Sequence, residues 1–331
     1  MTRVLVTGGA GYVGSVSAAT FLAAGHDVIV LDDLSTGHRG AVPDGATLHV
    51  ASYTDGPAME DLLRAERIEA ILHCAARSLV GESLREPAKY FRENVAGGIG
   101  LLDAAGRAGV ARFVFSSTAA VYGAPDLSPI PEDAALRPIN PYGESKRAFE
   151  GALAWYGRAY GLRSVSLRYF NVAGATEAHG EVHDPETHLI PNVLRAVDGG
   201  PPLTIFGDDY PTPDGTCIRD YIHVADLAKA HLLALAATDA GDPRTDEPLA
   251  LNLGNGGGFS VREVLAAVED ATGREVPHTM GARRTGDPPV LVARATRATE
   301  VLGWRPDQPG LEEMVTSAWT WRRAHPAGYG D

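Results

Sequence analysis

Tyr142 and Lys146 stand four residues apart in the stretch PYGESK (141–146), where a phenol and an ammonium would share one helix face about a turn apart. A phenol titrates near 10 and is a poor base at neutral pH; bringing it to about 7 takes about 4 kcal/mol of preference for the phenolate. A neighbouring ammonium and a cationic cofactor ring together can supply that preference. The same spacing also describes a surface tyrosine packed beside a lysine stem, so the surroundings must decide. Upstream, FVFSSTAAVYG (113–123) ends an apolar run with Ser116, Ser117 and Thr118. Those hydroxyls could bond a substrate oxygen, or only the local backbone.

The cofactor would be held near the start of the chain. TGGAGYVGS (7–15) spaces Gly8, Gly11 and Gly14 three apart between an apolar run and a helix-like segment. Glycines at that spacing permit a tight turn, close approach of backbone to a pyrophosphate, and close packing of helix on strand. Asp32, in VIVLDDLSTG (28–37), falls at the end of the next apolar run, placed to accept hydrogen bonds from an adenosine ribose. A 2′-phosphate would be repelled by Asp32 and Asp33, so the pattern favours NAD over NADP.

To position these groups the chain needs a parallel sheet whose strands all end on one side. Apolar runs predict strands near 3–7, 27–32, 47–51, 69–74, 111–116 and 163–169, and helices near 12–24, 57–66, 84–108 and 142–160. Asn140 reads as the N-cap of the last helix, with Pro141 at its first position. Alternation of this kind gives right-handed βαβ units and a Rossmann-type α/β fold with a doubly wound parallel sheet. In open sheets of that class, ligands bind at the carboxyl edge, where Ser116 to Thr118 would lie. Past residue 170 the pattern loosens into long polar loops at 174–187 and 207–217. Between and after them come helices near 189–198, 225–237, 260–272 and 311–324, and strands near 218–223 and 249–253. We expect residues 1–172 to form a dinucleotide-binding domain and 173–331 a smaller α+β substrate domain, with the segment near 218–253 packing back on the first.

Twenty-nine basic against 42 acidic residues give a net charge of −13 over 331 residues. That balance argues against nucleic acid or an anionic membrane as the partner. Cys74 and Cys217 have no metal-like spacing, and Cys74, inside AILHCAA, reads as a small core residue. No apolar run reaches the ~18–20 residues of a membrane span. MTRVLVTGG enters a strand at once, without a leader pattern, so a cytoplasmic address is expected. His179, His183 and His188 lie close together in an acidic loop, but their spacing is not a known ligand pattern, and no metal is expected.

The chain resembles the extended short-chain dehydrogenase/reductases, and within them the UDP-galactose (UDP-glucose) 4-epimerases. The likeness rests on VLVTGGAGYVGS, LVGES (79–83), SSTAAVYG (116–123), PYGESK, LRYFNVAGA (167–175), IFGDDYPTPDGTCIRDYIHVADLA (205–228) and RRTGDPP (283–289). It implies tightly held NAD, with Tyr142 as the proton-transfer group, Lys146 as its electrostatic partner and Thr118 as the catalytic hydroxyl. Cofactor contacts implied with them are Gly8, Gly11, Tyr12, Val13, Gly14, Asp32, Asp33, Ala75, Asn94, Ser116 and Tyr169. For a UDP-sugar substrate it implies Asn171, His188 and Leu189, with Arg219 and Arg284 on the diphosphate. Phe206 would lie near the uracil, Asp287 on the uridine ribose, and Leu291 at the group on sugar C2. It also implies a homodimer pairing the long helices of the cofactor domain. Ser52, Val16 and Ser78 depart from common family residues at cofactor-facing or packing positions. The alternatives are a 4-epimerase of another UDP-sugar, a 4,6-dehydratase, or a silent NAD-binding regulator. Ala119 and Ala120 after Thr118 speak against dehydration, which needs an acid/base pair there.

Overall fold

The structure, a computed structural model, describes residues 1–125, 127–284 and 287–330. Seven strands form the main sheet: β1 (Arg3–Thr7), β2 (Asp27–Asp32), β3 (Thr47–Val50), β4 (Ala70–His73), β5 (Arg112–Thr118), β6 (Arg163–Tyr169) and β7 (Leu249–Leu253). Their order is β7-β6-β5-β4-β1-β2-β3, and every pairing is parallel. The direction of winding reverses between β1 and β4, which opens a crevice at the carboxyl ends of those two strands.

Side chains alternate between the two faces of each strand, and both faces are apolar because both are covered. Val4, Val6, Val28, Val30, Val114 and Leu251 pack on one face with Phe21 and Leu227. Leu5, Ile29, Leu31, Phe113 and Phe115 pack on the other with Leu63, Leu101 and Phe149. The first face is covered by α1 (Tyr12–Ala23) and the helix Val224–Ala237, which also pack on each other. The second is covered by α2 (Gly56–Ala65), α3 (Gly98–Ala108) and α4 (Pro141–Tyr160). As expected, Asn140 caps α4, its side chain accepting from Gly143 N at 2.8 Å, with Pro141 at the first helical position.

One expected helix is broken. The span 84–108 is a short helix Val80–Arg85, a second at Pro87–Tyr90, a π-helical turn Phe91–Gly97 and then α3. Pro87 lacks an amide hydrogen and pushes Glu86 out of helical backbone, φ −127° and ψ 58°. Gly98 then passes where a Cβ would stand 2.6 Å from the Phe149 ring, so the chain comes close to α4 at that point.

Beyond β6 the elements are short. Strand Asn171–Ala173 pairs with Tyr221–His223, Ile218–Arg219 lies between Phe259–Ser260 and Val290–Leu291, and Leu203–Phe206 pairs with His278–Gly281. The strand expected over 218–223 is divided at Asp220. That buried carboxylate accepts backbone N–H groups from Asn255, Gly256 and Ala293 at 2.7–3.0 Å. A separate core of Ile190, Val193, Tyr221, Val264, Met314 and Val315 holds this part together, with helices α5 (Leu189–Val197), α7 (Val261–Thr272) and α8 (Leu311–Ala324), while α6 is the helix Val224–Ala237 on the main sheet. Among the described residues no helix is long and apolar enough to cross a membrane.

Candidate active site

A cleft of about 1150 Å³ runs along the carboxyl edge of the sheet, between the first turn of α1 and the short strands beyond β6. Gly8 turns the chain with φ +70°, where a Cβ would lie 2.6 Å from Ala75 N; a Cβ on Gly14 would lie 2.0 Å from Gly8 O. Glycine at these positions is therefore steric necessity. The first turn of α1 has no side-chain cap among the described residues, which leaves its N–H groups for an anion. Asp32, 8 % exposed, accepts from Ala10 N at 3.0 Å and Leu34 N at 2.9 Å and so ties the glycine loop to the end of β2. Burial raises its pKa, and these two backbone bonds oppose the rise. The Tyr53 hydroxyl is buried on the cleft wall without a hydrogen-bond partner among the described residues. A bare glycine turn, an uncapped helix start, a carboxylate at the strand end and an orphaned phenol together fit a dinucleotide.

Tyr12, Val13, Asp33, Ala75 and Tyr169 also line the cleft. Tyr12 donates to Gly174 O at 2.5 Å, fastening the glycine motif to the far side. Asn94 does not line it. Its carbonyl accepts from Arg77 N at 2.8 Å, and its amide donates to Arg77 O and Ser145 Oγ at 2.9 and 3.0 Å, so it pins the loop after β4 to α4 from behind. Ser116 is also behind the wall, its hydroxyl 3.2 Å from Cys74 Sγ and 3.0 Å from His231 Nε2. Cys74, read from the sequence as core, reaches the cleft, and burial pushes its thiol up to about 11. Val16 packs with Tyr12, Val224 and Ala228, while Ser52 and Ser78 line the cleft.

The end of β5 and the first turn of α4 bring Thr118, Tyr142 and Lys146 to one wall. The Thr118 hydroxyl accepts from Ala120 N at 3.1 Å. Burial raises the Tyr142 phenol's pKa, and the neighbouring Thr118 hydroxyl offsets only part of the rise. Lys146 is 4 % exposed; its Nζ donates to Ser116 O at 2.9 Å and stands 4.7 Å from the centre of the Phe115 ring. Burial pushes this amine down to about 8. Helical spacing thus aligns the pair, but the ammonium is anchored on β5 rather than on the phenol. Among the described residues only Thr118 opposes the rise at Tyr142. Ser117, the hydroxyl between, donates to Glu150 at 2.5 Å and serves a buried ion pair of Glu150 with Arg168 at 2.6 Å.

Across the cleft stand Asn171, His188, Arg219, Arg284, Asp287 and Leu291. Arg219 pairs with Asp287, Asn171 Nδ2 donates to Asp220 O at 2.9 Å, and Arg284 lies 4.0 Å over the Phe206 ring. Phe206, at the end of its strand, is 37 % exposed, an open aromatic face beside a guanidinium. Leu189 turns inward, against the core of Val193 and Met314. Thr285 and Gly286, inside the RRTGDPP string, lie outside the described residues. His231 was missed by sequence reasoning. It is fully buried between Ser17 Oγ and Ser116 Oγ, 3.0 Å from each, and burial pushes it down to about 3, which keeps it neutral. A histidine amid the alanines and leucines of α6 was the available signal.

Residues 4–254 match the profile of the NAD dependent epimerase/dehydratase family. The chain belongs to that family. It is 51 % identical to a UDP-glucose 4-epimerase of Streptomyces lividans over 99 % of this chain and 98 % of the relative. With one of Lacticaseibacillus casei it shares 48 % over 99 % of both. Among solved structures, UDP-glucose 4-epimerase from Brucella ovis in complex with NAD superposes with a TM-score of 0.92 at 45 % identity, covering 97 % of this chain and 98 % of that one. The enzyme from Bifidobacterium longum in complex with NAD+ and UDP gives 0.92 at 34 %, covering 99 % and 100 %. The Rossmann-type fold and the NAD cofactor expected from the sequence both stand.

Proposed function

We propose that this chain is an NAD-dependent UDP-sugar 4-epimerase that interconverts UDP-galactose and UDP-glucose. The observation that carries the reading is the grouping of Thr118, Tyr142 and Lys146 in one cleft with Arg219 and Arg284. NAD+ held at the glycine turn supplies a reversible acceptor for the hydrogen on sugar C4. Tyr142, as phenolate, takes the proton of the C4 hydroxyl while the C4–H bond breaks, which leaves a 4-keto sugar. Thr118 hydrogen-bonds the same sugar oxygen and fixes its distance from the phenol. Lys146 adds positive charge along that wall and is placed to hold a nicotinamide ribose. The keto sugar turns over, the hydrogen returns to C4 on the opposite face, and Tyr142 gives its proton back to the oxygen. Net oxidation is zero.

The turn requires a sugar held loosely and a nucleotide held firmly. Binding energy from the remote nucleotide supplies that division. Arg219 and Arg284 are the diphosphate anchors, planar and permanently charged; Phe206 offers the uracil a face, Asp287 the ribose an acceptor, and Leu291 borders the sugar. Ala119 and Ala120, beside Thr118 on the cleft wall, cannot move protons, so dehydration is not supported. Residues 1–172 are taken as the NAD-binding domain and 173–331 as mainly substrate-binding. A cytoplasmic address, galactose metabolism and a homodimer belong to the same reading; Ile99 on α3 and Trp155 and Tyr160 on α4 are exposed apolar groups for such a pairing. Purified protein should convert UDP-galactose to UDP-glucose without added NAD. No conversion by protein that carries NAD would overturn the reading.

A further inference from the structure

The loop 174–187 and the cap of α5 bring together four side chains that the proton-transfer chemistry does not use. Glu181, His183, Glu186 and His188 each offer one ligand atom, and these four atoms lie within 4.8 Å of one another. His179, the third histidine of the loop, is not among them. The side chains of Glu181 and Glu186 are only 6 % and 9 % exposed. Among the described residues their ion-pair partners are His183 and His188 alone. Among the described residues no lysine or arginine balances these two buried carboxylates.

Charge can be balanced there in two ways. Both imidazoles can be protonated and pair with the carboxylates, His183 with Glu181 and Glu186 and His188 with Glu181. Two imidazolium rings with centroids 5.3 Å apart then repel one another. A divalent cation instead neutralises both carboxylates and leaves both rings neutral, with Nδ1 lone pairs directed inward. The His183 distances match the second arrangement, which His188 joins by drawing back from Glu181 Oε1. Zinc bonds of about 2.0–2.2 Å set tetrahedral donors roughly 3.3 Å apart. His183 Nδ1 lies 3.1 Å from Glu181 Oε1 and 3.7 Å from Glu186 Oε2; His188 Nδ1 touches Glu181 Oε1 and is 4.0 Å from Glu186 Oε1. Two nitrogens and two oxygens suit zinc-class ions rather than magnesium or calcium, which take oxygen donors.

We propose that Glu181, His183, Glu186 and His188 form a four-donor site for one divalent cation of the zinc class, which braces the 174–187 loop against the cofactor side. His183 meets the Tyr12 ring edge-on at 6.5 Å, so the brace reaches the glycine motif, while His188 at the cap of α5 borders the cleft. The role is structural: the proton steps at Tyr142 do not pass through the cation.

The full-length holoenzyme, stripped with a chelator and dialysed, should take up one zinc ion per chain in calorimetry and in competition with a chromophoric chelator. The double variant Glu181→Gln, His183→Ala should lose that equivalent, and His278→Ala, an exposed histidine outside the cluster, should keep it. Cobalt(II) on the wild-type chain gives a reading that needs no variant: an intense visible band marks a tetrahedral nitrogen–oxygen site. Failure of wild type to bind zinc, equal uptake by the folded double variant, or a pale octahedral cobalt spectrum would each overturn the proposal and leave two imidazolium–carboxylate pairs.

Discussion

On the cofactor side of the cleft, the polar groups come from the ends of long parallel strands and the first turn of α1. On the substrate side they come from two- and three-residue strands and the loops between them. The first side presents mostly backbone, shaped by glycines that tolerate no Cβ. The second presents long side chains, Arg219, Arg284 and Asp287, already paired or stacked with each other or with Phe206. Backbone held by a sheet cannot rearrange and suits a cofactor that stays. Side chains on short strands can exchange internal partners for a ligand and release it, which suits a substrate that comes and goes.

Substitutions on the two sides should therefore fail in different ways. Tyr142→Phe removes the proton carrier between them and should lower kcat by about 10²–10⁴-fold, while the purified variant keeps its NAD absorbance and its KM within a few-fold. Unimpaired turnover would remove Tyr142 from the mechanism. Arg219→Ala should act on substrate alone. Loss of charge-assisted bonds of about 1.5–3 kcal/mol raises KM for UDP-galactose about 10- to 150-fold, with bound NAD unchanged; Arg284→Ala should follow with a smaller rise. A loss of NAD in either variant would show that the sides are not separable.

The smallest effect concerns Lys146. An unfolded lysine titrates near 10.4, and burial holds this one at about 8. Between those values the unfolded chain binds more protons, so stability rises with pH. The cost of burying the ammonium is fully present below 8. In cofactor-free protein, the stability of wild type relative to Lys146→Met should increase from pH 8 to pH 10 in denaturant titrations. A constant difference would mean that the amine is not depressed.

The cofactor side was also the more legible. Gly8, Gly11, Gly14 and Asp32 act through local geometry that spacing encodes, and continuous apolar runs, buried on both faces, made β1 to β6 readable within two residues. The break at Glu86 and Pro87 escaped because apolar spacing across 84–108 outweighed one proline in the reading. The anchoring of Lys146 on Ser116 O, His231 beneath Ser116 and Asp220 as a collector of N–H groups join residues 30 to 115 apart. Such contacts exist only once the sheet order is set. Glu181 and Glu186 escaped because the histidines around them have no recognisable ligand spacing, and it is the fold of the loop that closes the four together.

In this mechanism the hydrogen leaving C4 is the one that returns. UDP-galactose carrying deuterium at C4 tests it directly, by mass spectrometry and NMR of the product. UDP-glucose should keep the deuterium at C4 in ordinary water, and no deuterium should enter C4 when unlabelled substrate turns over in D2O. Washout of label into solvent would contradict it.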